Sequence, residues 1–166
     1  RLSVQIVSAL ARHGERGIGL SGVDGGLLTA DKRPPMVVVD DDGERKSVDY
    51  GLVGDLTFVD VEVVRAITQI PAIPVVSPLA SGGGGEVLNV NADTVAAHLA
   101  VALGAAKLIL LTQAPGILED PADPNSVLHW TDLVQLQALR DEGHLKGGMG
   151  PKLAAIRHAL ENGVPR

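Results

Sequence analysis

The chain has 166 residues, of which 45% are hydrophobic and only 2% aromatic, so Val, Leu, Ile and Ala must build its core. Its net charge of −6 argues against non-specific nucleic-acid binding, and the lack of cysteine excludes disulfides and thiolate metal sites. No apolar run approaches the roughly 20 residues that span a membrane, so we expect a cytoplasmic protein with neither a membrane nor a nucleic-acid partner.

Helix and strand patterns alternate along the chain, as expected when helices cover a parallel sheet. Apolar residues at helical spacing predict helices at Leu2–His13, Asp60–Ile70, Asn91–Leu103, Thr131–Asp141 and Pro151–Asn162. Continuous apolar runs predict buried strands at Gly17–Leu20, Ile73–Val76 and Lys107–Thr112. We therefore predict an α/β fold with a doubly wound, mainly parallel sheet and helices on both faces.

An acidic turn adds a hairpin to this pattern. Met36–Val39 and Arg45–Tyr50 flank the sequence Asp-Asp-Asp-Gly at residues 40–43, which predicts a β-hairpin insertion with an Asp-Gly turn. Neighbouring aspartates on a tight turn point apart, which favours a solvated turn over a metal site. Because the chain enters a helical pattern at once and stops where another strand is expected, we predict a single domain over residues 1–166, incomplete at both ends.

Two polar pairs end predicted strands, at the edge where α/β sheets bind ligands: Asn89 with Asn91, and Thr112 with Gln113. Asp93 follows where a helix begins, so amide donors and one carboxylate converge on a small volume. Simpler interpretations stay open. Asparagine is a strong N-cap residue, and an aspartate in a first turn complements the helix dipole.

The segment GGMGPK, Gly147–Lys152, opens the last predicted helix. Gly147 and Gly148 would let the backbone approach phosphate oxygens, while the helix start and Lys152 favour a bound anion. Phosphoryl transfer needs little besides positioning and charge stabilisation. Taken alone, Lys152 is more typical of an ordinary surface lysine.

Histidine and tryptophan carry no separate functional signal. The five histidines show no metal-ligand spacing, so we expect solvent-facing or edge positions for His13, His98, His129, His144 and His158. Trp130 is expected to be a packing anchor.

Five segments occur in order: GLSGVDGGLLTA (19–30), VDYGLVGDL (48–56), LNVNADTVAAHLA (88–100), KLILLTQAPGIL (107–118) and GGMGPK (147–152). Together they resemble the successive signatures of acetylglutamate kinases, members of the amino-acid kinase family. Five ordered segments over nearly the whole chain are far more specific than any one of them. The resemblance implies the amino-acid kinase fold and phosphorylation of the γ-carboxylate of N-acetyl-L-glutamate by ATP with Mg²⁺, in arginine biosynthesis.

The resemblance also implies residue roles. Asn89 and Asn91 would bind acetylglutamate, Asp93 would organise catalytic lysines, and Lys152 would stabilise the transition state. The nucleotide would be bordered by Thr112, Gln113, Ala114, Pro115, Gly116, Ile117, Leu118, His144, Leu145, Lys146, Gly148 and Met149. The family usually has aspartate where this chain has Gln113, whose amide can still form hydrogen bonds.

Further family elements, among them a second catalytic lysine, are expected before Arg1, so the chain alone is expected to be inactive. Two alternative functions stay open. One is a kinase of carrier-protein-linked aminoadipate in lysine biosynthesis; the other is a non-catalytic kinase-like binding module, which Gln113 favours. The resemblance further implies a homodimer or a higher homo-oligomer.

Overall fold

The computed structural model describes residues 2–39, 42–112, 116–120, 122–144 and 149–166. The chain divides into two compact units, Arg1–Val95 and Ala96–Arg166. The strands are β1 Gly17–Ser21, β2 Leu28–Lys32, β3 Met36–Val39, β4 Arg45–Val48, β5 Gly54–Val59, β6 Ile73–Ser77, β7 Leu79–Ser81 and β8 Val87–Asn89. The helices are α1 Leu2–Arg12, α2 Glu62–Thr68, α3 Ala92–Leu103, α4 Leu133–Asp141 and α5 Met149–Glu161.

The sheets of the first unit combine parallel and antiparallel pairs. β1 and β6 run parallel, with Ser21 opposite Ser77 at their carboxyl ends. A second sheet has the order β5-β2-β7-β8, in which β2 and β7 are parallel and the outer pairs are antiparallel. The predicted α/β fold class is confirmed, and a short loop between β7 and β8 explains their antiparallel pairing.

The predicted hairpin insertion is confirmed. β3 and β4 pair antiparallel from Met36 opposite Val48 to Val39 opposite Arg45. Gly43 has a φ of 81°, the left-handed conformation that an Asp-Gly hairpin turn requires. The remaining turn residues Asp40 and Asp41 lie outside the described residues.

Aliphatic side chains from the four-stranded sheet and the loop before it form the core of the first unit. The side chains without exposed surface are Leu27, Leu28, Ala30, Ala80 and Leu88. Their small and medium size agrees with a composition poor in aromatic residues.

The predicted helices are present, and their ends differ from the predicted ends by at most two residues. Asp60 precedes α2 as expected, and its carboxylate accepts a hydrogen bond from the Glu62 N–H at 3.0 Å. The helix then ends at Thr68 rather than at Ile70. Within the described ranges, no helix combines the length and apolar character needed to cross a membrane.

The strand predicted at 107–112 is wrong: no strand is assigned over this described segment. Ile109 and Leu111 are 70% and 89% exposed. An apolar run becomes a strand only where neighbouring strands bond its backbone, and here Leu108 donates to the carbonyl of Arg166 at 2.8 Å. Trp130 is 76% exposed, so its predicted role as a packing anchor is also wrong.

Small residues form the core of the second unit where α3 and α5 meet. The buried cluster consists of Ala97, Ala100, Ala155, Ala159 and Val164. After α5, Gly163 has a φ of 94° and Val164 donates to the carbonyl of Ala159 at 3.0 Å. This helix end returns the chain over α5, so that Val164 packs in the cluster.

Candidate functional site

Asn89 ends β8 on a backbone held from two sides. It lies opposite Leu79 in the β7–β8 pair, and its N–H donates to the carbonyl of Leu52 at 2.8 Å. Its side chain is exposed. A fixed backbone with an exposed amide suits a residue that orients a polar ligand.

Asn91 is the N-cap of α3. Its Oδ1 accepts hydrogen bonds from the backbone N–H of Thr94 at 3.0 Å and from the Thr94 hydroxyl at 3.3 Å. The capping interpretation is therefore confirmed, since an asparagine oxygen at this position satisfies an otherwise unpaired helix N–H. The cap uses the amide oxygen, so the amide nitrogen is the group that would donate to a ligand.

Asp93 lies in the first turn of α3 and is half-buried. The positive end of the helix dipole stabilises a carboxylate here. Asn91 caps the same turn that carries Asp93.

A tight glycine loop packs against β7, the strand that pairs with β8. The Gly22 N–H donates to the carbonyl of Ser77 at 3.1 Å, and its own carbonyl accepts from Leu28 at 2.7 Å. A Cβ at Gly22 would lie 2.1 Å from the carbonyl oxygen of Leu79, the residue that pairs with Asn89. The glycine-rich loop thus has a packing role: it lets β7 approach closely.

In the second unit, the predicted nucleotide segment at 116–118 pairs with a later loop. Leu128 donates to the carbonyl of Ile117 at 2.8 Å, and Leu118 forms an antiparallel bridge with Val127. The Glu119 N–H then donates to Ser126 at 2.8 Å. These bonds give the segment a defined backbone.

His144 is placed by the end of α4. Gly143 has a φ of 75°, and the His144 N–H donates to the carbonyl of Leu139 at 2.9 Å, which returns the chain over the helix. Its Nδ1 then lies 2.9 Å from the carbonyl oxygen of Glu119. The structure therefore brings His144 next to Glu119, the residue that follows Leu118.

Three further candidate residues of the second unit fall within the described ranges. Met149 and Lys152 occupy the first turn of α5 and are half-buried, whereas Thr112 is exposed. The residues Gln113, Ala114, Pro115, Leu145, Lys146 and Gly148 lie outside the described residues.

The sequence did not reveal an ion pair at the base of the hairpin insertion. Arg33 donates from Nε to both carboxylate oxygens of Asp55, at 3.1 and 3.2 Å, and from Nη2 as well, with the Tyr50 ring centroid 6.0 Å away. These hydrogen bonds hold the pKa of Asp55 below its usual value and raise the pKa of Arg33. The pair ties the strand before the insertion to the strand after it.

A second missed contact joins His98 and His158. Their rings stack with centroids 3.9 Å apart, and both residues are half-buried; the expectation of solvent-facing or edge positions did not include this contact. Burial lowers the pKa of His98, and the charge of His158 lowers it further. The available signal was one imidazole in a helix otherwise rich in Ala, Val and Leu.

Comparison with known sequences covers the whole chain. A profile of the amino acid kinase family matches residues 1–166. The acetylglutamate kinase of Myxococcus xanthus is 47% identical over 165 residues, which are 99% of this chain and 54% of that protein. The acetylglutamate kinase of Methanothermobacter thermautotrophicus is 45% identical over 165 residues, 99% of this chain and 56% of that protein. The chain spans about half the length of these curated relatives.

Solved structures share the fold. The structure of smu.665 from Streptococcus mutans superposes with a TM-score of 0.75 at 30% identity, over 95% of this chain and 58% of that chain. An N-acetylglutamate synthase from Neisseria gonorrhoeae, complexed with coenzyme A and N-acetyl-glutamate, has a TM-score of 0.65 at 25% identity. That similarity covers 98% of this chain and 36% of the synthase chain.

Proposed function

Because this chain belongs to the amino acid kinase family, we propose that it is part of an acetylglutamate kinase. The observation that carries the proposal is the high identity to acetylglutamate kinases over nearly the whole chain. The γ-phosphoryl group of Mg-ATP is transferred to the γ-carboxylate of N-acetyl-L-glutamate, which yields an acyl phosphate and ADP. We place the reaction in arginine biosynthesis in the cytoplasm, carried out by a homodimer or a higher homo-oligomer.

The amides of Asn89 and Asn91 hold acetylglutamate in this proposal. Both side chains are exposed, and both backbones are fixed, one by strand pairing and the other by its role as a cap. Amide N–H groups donate to carboxylate and acetyl oxygens without adding charge. Fixed donors lower the entropic cost of orienting a substrate for transfer.

Lys152 and Asp93 act on the charge of the transferred group. Lys152 stabilises the negative charge on the phosphoryl oxygens during transfer, and the first turn of α5 adds the positive end of a helix dipole. Asp93 organises the catalytic lysines, a role suited to a half-buried carboxylate in the first turn of a helix. Phosphoryl transfer depends on such positioning and electrostatics more than on covalent chemistry.

The nucleotide is bordered by residues of the second unit, and Mg²⁺ enters as part of the Mg-ATP substrate. The contact between His144 and Glu119 supports this proposal, since it places His144 beside the residue that follows Leu118. The full set is Thr112, Gln113, Ala114, Pro115, Gly116, Ile117, Leu118, His144, Leu145, Lys146, Gly148 and Met149.

An acyl-phosphate assay tests the function. The protein that carries this chain is incubated with Mg-ATP and hydroxylamine, which traps acyl phosphates as hydroxamates, and either N-acetyl-L-glutamate or carrier-protein-linked aminoadipate. We expect hydroxamate to form with N-acetyl-L-glutamate and not with carrier-protein-linked aminoadipate. Product with the carrier-linked substrate alone would identify a lysine-pathway kinase, and ATP binding without product from either would identify a non-catalytic module. Either of these results would overturn the proposal.

A further inference from the structure

Two histidine rings stack face to face where α3 contacts α5. The ring centroids of His98 and His158 lie 3.9 Å apart, and the ring planes differ by 17°. Both side chains are half-buried. Neither residue belongs to the proposed catalytic or nucleotide-binding set, so the pair calls for its own explanation.

Alanines lie near both histidines along the two helices. Ala97 on α3, together with Ala155 and Ala159 on α5, lies in the buried cluster of the second unit. An alanine side chain offers one methyl group, which allows close helix approach but buries little apolar area. The two imidazole rings therefore add a larger side-chain contact between the helices than their neighbours do.

The charged groups near the pair are mainly cationic. In the described part of the second unit, His158 faces a groove of about 230 Å³ whose charged lining is Arg140, Arg157 and Glu161. Glu161 lies 3.7 Å from Nε of Arg157, so its charge is shared with that arginine. His158 is the titratable group that acts on His98 from the facing helix. A proton on His98 is thus disfavoured by burial and by the facing His158.

The protonation equilibrium of His98 links this contact to pH. Burial lowers the pKa of His98, and the charge of His158 lowers it further. As the pH falls, the unfolded chain therefore takes up this proton near the ordinary histidine pKa of 6.5, before the folded chain does. The stabilising contribution is complete above that pH and is lost progressively below it.

We propose that the stacked His98–His158 pair is a proton-sensitive contact that holds α3 against α5 at neutral pH and releases it in acid. Neutral rings gain from stacking, whereas two protonated rings at this distance repel each other. The first turns of these helices carry Asp93 and Lys152. Loss of activity in acid is then a consequence that rests on the proposed kinase function.

Hydrogen exchange of the α3 and α5 amides tests the proposal on the protein that carries this chain, after correction for intrinsic exchange rates. Between about pH 7.5 and about pH 5.5, where histidine titrates, local opening should increase roughly 2- to 12-fold, the change that corresponds to loss of an aromatic pair. In His98→Phe the ring can still stack on His158 but takes no proton, so the increase should largely disappear. His129→Gln removes an exposed histidine outside the pair and should behave as the unmodified protein does.

Two results would overturn the proposal: local opening that does not change with pH, or an equal increase in His98→Phe. If that variant does not fold, NMR of the unmodified protein replaces it. His98 should gain its proton below the ordinary histidine pKa of 6.5, and the contacts between the two rings should vanish in the same step. If His98 gains its proton while the contacts between the two rings persist, the proposal is refuted. Kinase activity enters none of these measurements, so they stand even if the proposed function fails.

Discussion

Gly22 occupies a position in the first unit where no side chain fits. An alanine Cβ there would lie 2.1 Å from the carbonyl oxygen of Leu79 and 2.3 Å from Cδ1 of Leu28. Leu28 has no exposed surface and cannot rotate into solvent. The Leu79 atom belongs to the backbone of β7, which pairs with β8 at Asn89. We therefore predict that Gly22→Ala destabilises the fold by overpacking.

The destabilisation by Gly22→Ala depends on whether the atoms that meet the new Cβ can move away. Overpacking of a core lowers the free energy of unfolding by about 1–3 kcal/mol. Because the clash is with backbone, we place this variant at the upper end of that range, at about 3 kcal/mol. For a domain of about 150–250 residues, that loss corresponds to a fall of about 6–12 °C in Tm. Gly19→Ala is the matched control, because its Cβ would meet only Cγ2 of Val7, at 3.8 Å. We expect its free energy of unfolding to stay within about 0.5 kcal/mol of the unmodified protein.

Urea unfolding of the protein that carries this chain, followed by circular dichroism, measures both variants. The dependence of the unfolding free energy on urea must match among the three proteins, because a change in that slope would indicate an altered unfolded or native state. If Gly22→Ala and Gly19→Ala have equal stability at equal slopes, the packing argument is refuted.

Three further predictions concern a cap, a substrate contact and an ion pair. Asp132 Oδ1 accepts from the Gln135 N–H at 2.8 Å, so Asp132→Ala should cost about 1 kcal/mol in urea unfolding, and a neutral result would contradict its role as the α4 cap. Asn91→Asp keeps the capping oxygen but lacks the amide donor, so stability should hold while KM for acetylglutamate rises; an unchanged KM would remove Asn91 from the substrate site. Hydrogen bonds from Arg33 lower the pKa of Asp55, so their pair stabilises the fold above the usual carboxyl value of 3.8 and loses this contribution as pH falls further. Because solvent screens these exposed partners, the pair contributes only a fraction of about 1 kcal/mol to the free energy of unfolding. Arg33→Gln should therefore flatten the pH profile of stability below about pH 4. Identical profiles for the variant and the unmodified protein would exclude the linkage.

Local chemistry explains the parts of the fold that could be predicted. The cap residues Asn91 and Asp132 lie immediately before α3 and α4, because a side-chain oxygen there replaces a missing backbone partner. The Asp-Gly turn at Gly43 marked the hairpin for a similar reason, since its backbone conformation is encoded by the residue itself.

Contacts between distant residues explain what could not be predicted. Apolar content at 107–112 indicated a strand, but strand formation depends on a partner elsewhere in the chain. The His98–His158 stack joins residues on different helices, and Arg33 meets Asp55 across the whole hairpin insertion. For the candidate site, the pattern indicated Asn89, Asp93 and Lys152 as polar residues at element ends. It did not indicate that Gly22 supports the strand beside Asn89.

Phosphoryl transfer to N-acetyl-L-glutamate by matched lysine variants tests the central claim most directly. Acyl phosphate formation from Mg-ATP is measured for the protein that carries this chain, for Lys152→Ala, and for Lys107→Ala, an exposed lysine outside the proposed site. We predict product from the unmodified protein and from Lys107→Ala. We also predict a fall in kcat of about 100-fold or more in Lys152→Ala, as expected when a charge-stabilising group is removed. No acetylglutamate-dependent product from the unmodified protein, or equal kcat in the two lysine variants, would contradict the account.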